Sequence, residues 1–171
     1  LLPKLPPEYL ALPRSNYALY KLISDFDFET VLDVGSGAGL HARLLAREGK
    51  TVTTIDITTS VYANSASDLP ASVSQIQGDF STHNFESTYD CVWASHVLEH
   101  HANPGEFIER LASLLSDNGI LAVTVPPMKD KIVGGHLTLW NAGLLLYQLV
   151  FCGLDCSEAC VLTNKNNVTV I

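Results

Sequence analysis

The stretch VLDVGSGAG, residues 31–39, decides how this chain is read. Val31, Leu32 and Val34 are apolar residues around one acid, Asp33, and mark a buried strand. Glycines then recur at positions 35, 37 and 39. A strand that breaks into alternate glycines makes a tight turn whose bare backbone admits a ligand closely. The same glycines could also serve the turn alone, so their surroundings decide.

Working outward, the chain alternates strand and helix. Strands are expected at Thr30–Val34, Thr51–Ile55, Val73–Gln77, Cys91–Ser95 and Ile120–Val125, with helices over 40–47, 58–67 and from Pro104. Asn103, Pro104 and Glu106 compose a helix start, and Asn118-Gly119 is expected to stop that helix. A further helix is expected over 139–151, then a closing strand pair at 157–162 and 167–171. Repeated strand–helix units imply an α/β fold, a doubly wound and mostly parallel sheet with helices on both faces. Ligands of such folds sit at the carboxyl ends of the strands. Residues 1–27 read as an N-terminal extension and possible lid over the site, and 28–171 as the binding domain.

At 171 residues and 47% hydrophobic, the chain suits one domain with a sizeable core. Its net charge of −8 makes it a poor partner for nucleic acid. The longest apolar run, Leu144–Phe151, is too short to span a bilayer, and the opening LLPKLPPEYLALP lacks a signal pattern. Cys91, Cys152, Cys156 and Cys160 read as reduced thiols in a cytoplasmic setting. The last three approximate an iron–sulfur spacing, but the final gap is wrong by one.

Two familiar phosphate motifs fail on the glycines. The dinucleotide fingerprint G-x-G-x-x-G meets Leu40 where a small residue belongs, and no Lys-Ser or Lys-Thr follows for a phosphate loop. Three acids at strand ends point elsewhere. Asp33, at the end of a buried strand, needs a cationic partner such as a ligand ammonium. Asp56 ends the second strand where a carboxylate accepts ribose hydroxyls. Asp79, with Gly78 and Phe80, suits an adenine amine and ring, and the helix starting near Gly39 suits a carboxylate. Ammonium, carboxylate, ribose and adenine together describe S-adenosylmethionine.

These stretches resemble the class I S-adenosylmethionine-dependent methyltransferases. VLDVGSGAG is similar to their first motif, TIDI to their second-strand acid and QGDF to their third motif. YDCVWASHVLEHHANP resembles the fourth strand and loop of the small-molecule branch called methyltransferase type 11, and LLSDNGILAVTVP the fifth strand. The resemblance, over residues 28–171, implies a Rossmann-like sheet of seven strands whose last strand is antiparallel. It also implies a cofactor site of Asp33, Gly35, Ser36, Gly37, Gly39, Asp56, Ile57, Gly78, Asp79, Phe80, Ser95 and His96. S-adenosylhomocysteine would be the product, formed by in-line methyl transfer to a small-molecule, saccharide or lipid-linked acceptor.

His96 and His136 stand where they could face that acceptor as catalytic groups. Glu99, His100 and His101 invite a metal reading, but adjacent residues do not share one helix face, so no metal is expected. Arg14, Tyr17 and Tyr20 fit either a lid lining or ordinary helix packing. Two other functions fit the fold. One is a module that keeps the fold without catalysis. The other is an NAD-dependent oxidoreductase, which leaves Asp33 unexplained.

Overall fold

The computed structural model describes residues 3–57, 69–164 and 166–171. Two N-terminal helices lead, α1 (Pro7–Leu10) and α2 (Asn16–Asp25). Then come β1 (Thr30–Val34), α3 (Leu40–Arg47), β2 (Thr51–Asp56), β3 (Val73–Gln77) and β4 (Tyr89–Ser95). A 3-10 turn at Leu98–His100 leads to α4 (Pro104–Ser113), β5 (Leu115–Val125), α5 (Ala142–Phe151), β6 (Val161–Thr163) and β7 (Val168–Val170). The helix expected over 58–67 lies outside the described residues.

The strands form one seven-stranded sheet in the order β3-β2-β1-β4-β5-β7-β6. β7 runs antiparallel to β5 and β6, and every other pairing is parallel. This is the expected doubly wound sheet with an antiparallel last strand. The chain steps outward from β1 to β3, then returns to place β4 on the other side of β1. The crevice at the carboxyl ends of β1 and β4 is therefore the switch point, where ligands bind in this architecture.

Alternation along β1 sets the two layers. Leu32 and Val34 join a core with Phe107, Ile108 and Leu111 of α4 and Leu145 and Leu149 of α5. Val31, with Cys91 and Trp93 of β4, packs on the other face against Leu19 and Leu22 of α2 and Leu44 and Leu45 of α3. Asp33 projects to that second face by the same two-residue period. Leu5, Tyr9 and Leu12 are buried there as well, so the N-terminal segment supplies part of this core.

Several boundaries differ from expectation, β6 starting at Val161 rather than 157 among them, and two have a clear local cause. α4 ends at Ser113, before Asn118-Gly119, because Leu115 pairs with Tyr89 and already belongs to β5. Asn118, at φ +62°, and Gly119 sit inside that strand, where the β4–β5 register shifts. They make an irregularity in a strand rather than a helix stop. α5 begins at Ala142, three residues later than expected from Leu139, because Asn141 caps it by accepting the Leu144 N–H at 2.9 Å.

Candidate active site

The turn after β1 is built as its glycines demand. Gly35, Gly37 and Gly39 all have positive φ, at +71°, +55° and +70°. Space is short as well as conformation strained: a Cβ on Gly35 would stand 2.2 Å from Val97 Cγ2, and one on Gly39 2.8 Å from Leu69 Cδ2. The Gly35 N–H donates to the Ile55 carbonyl, and the Gly39 N–H to the Ser36 carbonyl. The Gly37 N–H donates to Asp56 Oδ2 at 2.7 Å.

Asp33 sits just behind this turn, 1% exposed. Its Oδ2 is buried and accepts no hydrogen bond from the described residues. Burial, with the Asp56 charge adding, pushes the Asp33 carboxyl up to about 7, against a lowering by the Ala42 N–H. A carboxyl in that condition is a socket for a ligand cation. Asp56 stands half-buried at the end of β2. Ile57 beside it is half exposed.

At the end of β3, Asp79 is exposed and its Oδ1 accepts the Ser81 N–H at 2.8 Å. Gly78 ties β3 to β2 by donating to the Asp56 carbonyl. The Phe80 ring turns the other way. It lies edge-on to Phe107 with ring centres 5.1 Å apart, and Arg110 sits over it at 5.3 Å. That ring is 6% exposed and belongs to the core. What Phe80 contributes at the strand end is backbone, its carbonyl accepting Arg110 Nε.

The end of β4 carries the second half of the site. Ser95 Oγ lies 2.7 Å from Ser15 Oγ, which brings the N-terminal segment to this strand end. His96 follows with φ +58°, an uncommon conformation for a non-glycine residue. Its N–H donates to the Thr124 carbonyl, and its Nε2 lies 2.7 Å from Asn167 Oδ1. The other nitrogen, Nδ1, stands 3.4 Å from Glu99 Oε1.

Glu99 is fully buried, and His100 reaches Gly135 in the loop after β5. The His100 and His136 rings meet edge-on at 5.0 Å. Burial holds His136 below the usual imidazole range. His101 points away, its ring stacked 3.9 Å from that of Phe107, and burial lowers its pKa also. Glu99 and His100 thus converge with His136, their nitrogen and oxygen atoms within 4.8 Å of one another, while His101 turns away. The cysteines form no ligand cluster among the described residues, and Cys91 is buried within the sheet.

Sequence reasoning missed three residues here. His41 accepts the Trp93 indole N–H on Nδ1 and donates from Nε2 to the Arg14 carbonyl. Ser15 and Asn167 are buried polar residues joined to Ser95 and His96. Buried polar side chains of this kind show themselves only once the fold brings their partners near.

Comparison with known proteins agrees with this fold. The family model described as a methyltransferase domain, type 11, matches residues 32–123, more than half the chain. The ubiquinone biosynthesis O-methyltransferase of Vibrio parahaemolyticus is 35% identical over 111 residues, 62% of this chain and 47% of the relative. That of Rickettsia canadensis is 31% identical over 132 residues, 71% of this chain and 55% of the relative. The chain spans about half the length of these curated relatives. Among solved structures, an O-methyltransferase family protein from Burkholderia thailandensis superposes with TM-score 0.71 at 17% identity, over 91% of this chain and 55% of that one. Human N-acetylserotonin methyltransferase in complex with S-adenosylmethionine gives TM-score 0.71 at 15% identity, over 91% and 52%. These two likenesses show the fold. With the family match, the glycine turn and the three strand-end acids, the chain belongs to the S-adenosylmethionine-dependent methyltransferases of type 11.

Proposed function

We propose that this chain binds S-adenosylmethionine across the carboxyl ends of β1, β2 and β3 and transfers its methyl group to a hydroxyl of a small molecule. The observation that carries the reading is the buried Asp33 Oδ2, which accepts no hydrogen bond from the described residues behind three left-handed glycines. An ammonium group is the chemistry that would satisfy it. Asp33 and the turn of Gly35, Ser36, Gly37 and Gly39 would hold the methionine end. Asp56 and Ile57 would hold the ribose, and Gly78, Asp79 and the Phe80 backbone the adenine. Ser95 and His96 would lie under the sulfonium.

The methyl is already activated, so the chain's work is to align the acceptor behind it and exclude water. The acceptor oxygen attacks the methyl carbon, the carbon–sulfur bond breaks, and sulfur keeps the electron pair. The hydroxyl proton must also leave. His96, just after β4, and His136, in the loop after β5, would be the candidate bases. The hydroxyl is favoured over nitrogen because the curated relatives above are O-methyltransferases. The segment around Arg14 and Ser15, tied to His41 and Ser95, is proposed as a wall or lid of the acceptor side. Among the described residues, no helix is long and apolar enough to cross a membrane.

Calorimetry with S-adenosylhomocysteine, with NAD as control, tests the cofactor. Micromolar binding of the first and none of the second is expected. Transfer of labelled methyl to a panel of phenols, catechols and sugars then tests the acceptor class. No binding of S-adenosylhomocysteine at millimolar concentration would remove the enzymatic reading.

A further inference from the structure

Ser15 stands at the N-cap position of α2, where a serine hydroxyl ordinarily accepts an N–H of the first helical turn. Here it makes no such bond. Its Oγ turns instead to Ser95 Oγ, 2.7 Å away at the end of β4, and the residue is fully buried. Its backbone is left-handed, at φ +55°, as is that of His96 beside Ser95, at φ +58°. Strain at non-glycine residues persists only where the surroundings enforce it, and it gathers at functional sites. The residue before Ser15 is fixed as well. The Arg14 carbonyl accepts from His41 Nε2 at 3.2 Å, and the Trp93 indole holds the other nitrogen of that ring.

This fastening presents the Arg14 side chain, which is exposed and makes no hydrogen bond or ion pair among the described residues. Other cations of the chain are committed to its own groups. Lys21 pairs with Asp25, Lys50 reaches the Phe28 carbonyl, and Arg110 the carbonyls of Phe80 and His83. The Arg14 charge is felt across the strand ends. Burial first, and then nearby charges with that of Arg14 among them, hold His136 below the usual imidazole range. The guanidinium therefore belongs to the mouth shared by the N-terminal segment, the end of β4 and the loop after β5.

We propose that Arg14 reads an anionic group, a carboxylate or a phosphate, on the methyl acceptor. This rests on the methyltransferase reading. A guanidinium keeps its charge at any working pH, and its planar fork of N–H donors matches the paired oxygens of either anion. The anion anchors one end of the acceptor, and a hydroxyl elsewhere on the same molecule meets the methyl. The cofactor's own carboxylate has the start of α3, after Gly39, to receive it, which leaves Arg14 for the acceptor. Ser15 is then a positioning residue. Its tie to Ser95 fixes the backbone from which Arg14 reaches, so less ordering is left for binding to supply.

The test is calorimetry on protein saturated with S-adenosylhomocysteine, for the wild type, Arg14→Gln and Arg14→Lys. Protocatechuate is compared with its neutral amide, and glucose phosphate with glucose. In at least one pair the anion is expected to bind the wild type about tenfold more tightly than its neutral partner, or better. Arg14→Gln should erase that preference and leave S-adenosylhomocysteine affinity unchanged. Arg14→Lys, which keeps the charge but not the fork, should restore part of it. A preference in the first pair alone would name a carboxylic acid acceptor, and in the second alone a phosphorylated one. No preference in either pair, or one that survives Arg14→Gln, would overturn the assignment. So would a tenfold loss of S-adenosylhomocysteine affinity in Arg14→Gln, which would put the guanidinium on the cofactor. No S-adenosylhomocysteine binding by the wild type would sink the methyltransferase reading and the acceptor site with it. Tight S-adenosylhomocysteine binding with indifference to the anions would sink the acceptor site alone.

Discussion

Asp56 Oδ2 and the Gly37 N–H, nineteen residues apart, form a 2.7 Å hydrogen bond that fastens the end of β2 to the glycine turn after β1. The residue proposed to read the ribose therefore also shapes the turn proposed to hold the methionine end. Asp56→Ala removes both effects. Hydrogen bonds to a charged group are worth about 1.5–3 kcal/mol, so S-adenosylhomocysteine affinity should fall about tenfold to a hundredfold. Asp56→Asn keeps an acceptor for Gly37 and should lose less. Equal affinities for wild type and Asp56→Ala, by calorimetry, would place the ribose elsewhere.

Asp33 gives a pH signature. Its carboxyl is near 3.8 when unfolded and is pushed up to about 7 in the fold by burial and by Asp56. Between those values the native state binds the extra proton, so this group makes stability fall as pH rises from about 4 to 7. Asp33→Asn cannot ionise. Its melting temperature should exceed that of the wild type at pH 8, and the gap should close toward pH 4. The same variant should bind S-adenosylhomocysteine much more weakly, because the neutral amide cannot pair with an ammonium. A variant neither stabilised at pH 8 nor impaired in binding would count against Asp33 as the cation socket.

The glycine turn separates strain from crowding. Gly49 has φ +81° and nothing within 4 Å of an added Cβ, whereas Gly35 has φ +71° and Val97 Cγ2 at 2.2 Å. A left-handed alanine costs about 1–2 kcal/mol through its backbone alone. Gly49→Ala should show that loss in urea unfolding. Gly35→Ala should lose about 3 kcal/mol or more, because Val97 is β-branched and has little freedom to turn aside. Equal losses would mean that Val97 yields freely and that the close approach is dispensable.

Much of this was legible because apolar runs and glycine punctuation are local signals. The five parallel strands from Thr30 to Val125, the α4 start and the strand-end acids each show in a few consecutive residues. The end of α4 did not, because Leu115 continues the helical spacing while its pairing with Tyr89 is a contact across the sheet. Phe80 stands next to a site residue in sequence, but a core of Phe85 and Phe107 claims its ring. His136 came into view as a loop histidine. Its meeting with Glu99 and His100 depends on how the loop after β5 returns over the turn after β4, which no local pattern encodes. Residues 1–27 read as an appendage because their apolar spacing is broken by prolines. Leu5, Tyr9, Leu19 and Leu22 nonetheless close one face of the sheet.

His41 supplies a second and opposite pH slope. Its Nδ1 accepts from the Trp93 indole at 3.2 Å while its Nε2 donates to the Arg14 carbonyl, so a second proton would set two donors against each other. Burial pushes this imidazole from 6.5 down to about 4. Between those values the unfolded chain binds the extra proton, so this group makes stability fall as pH drops from about 6.5 to 4. His41→Gln retains one donor and one acceptor but cannot titrate. It should melt below the wild type at pH 8, where only the poorer geometry counts, by an amount equivalent to about 1 kcal/mol. Its acid slope should be shallower, so the two melting curves converge toward pH 4. Parallel curves across that window would show that the bridge from Arg14 through His41 to Trp93 survives protonation, and that the acid sensitivity resides elsewhere.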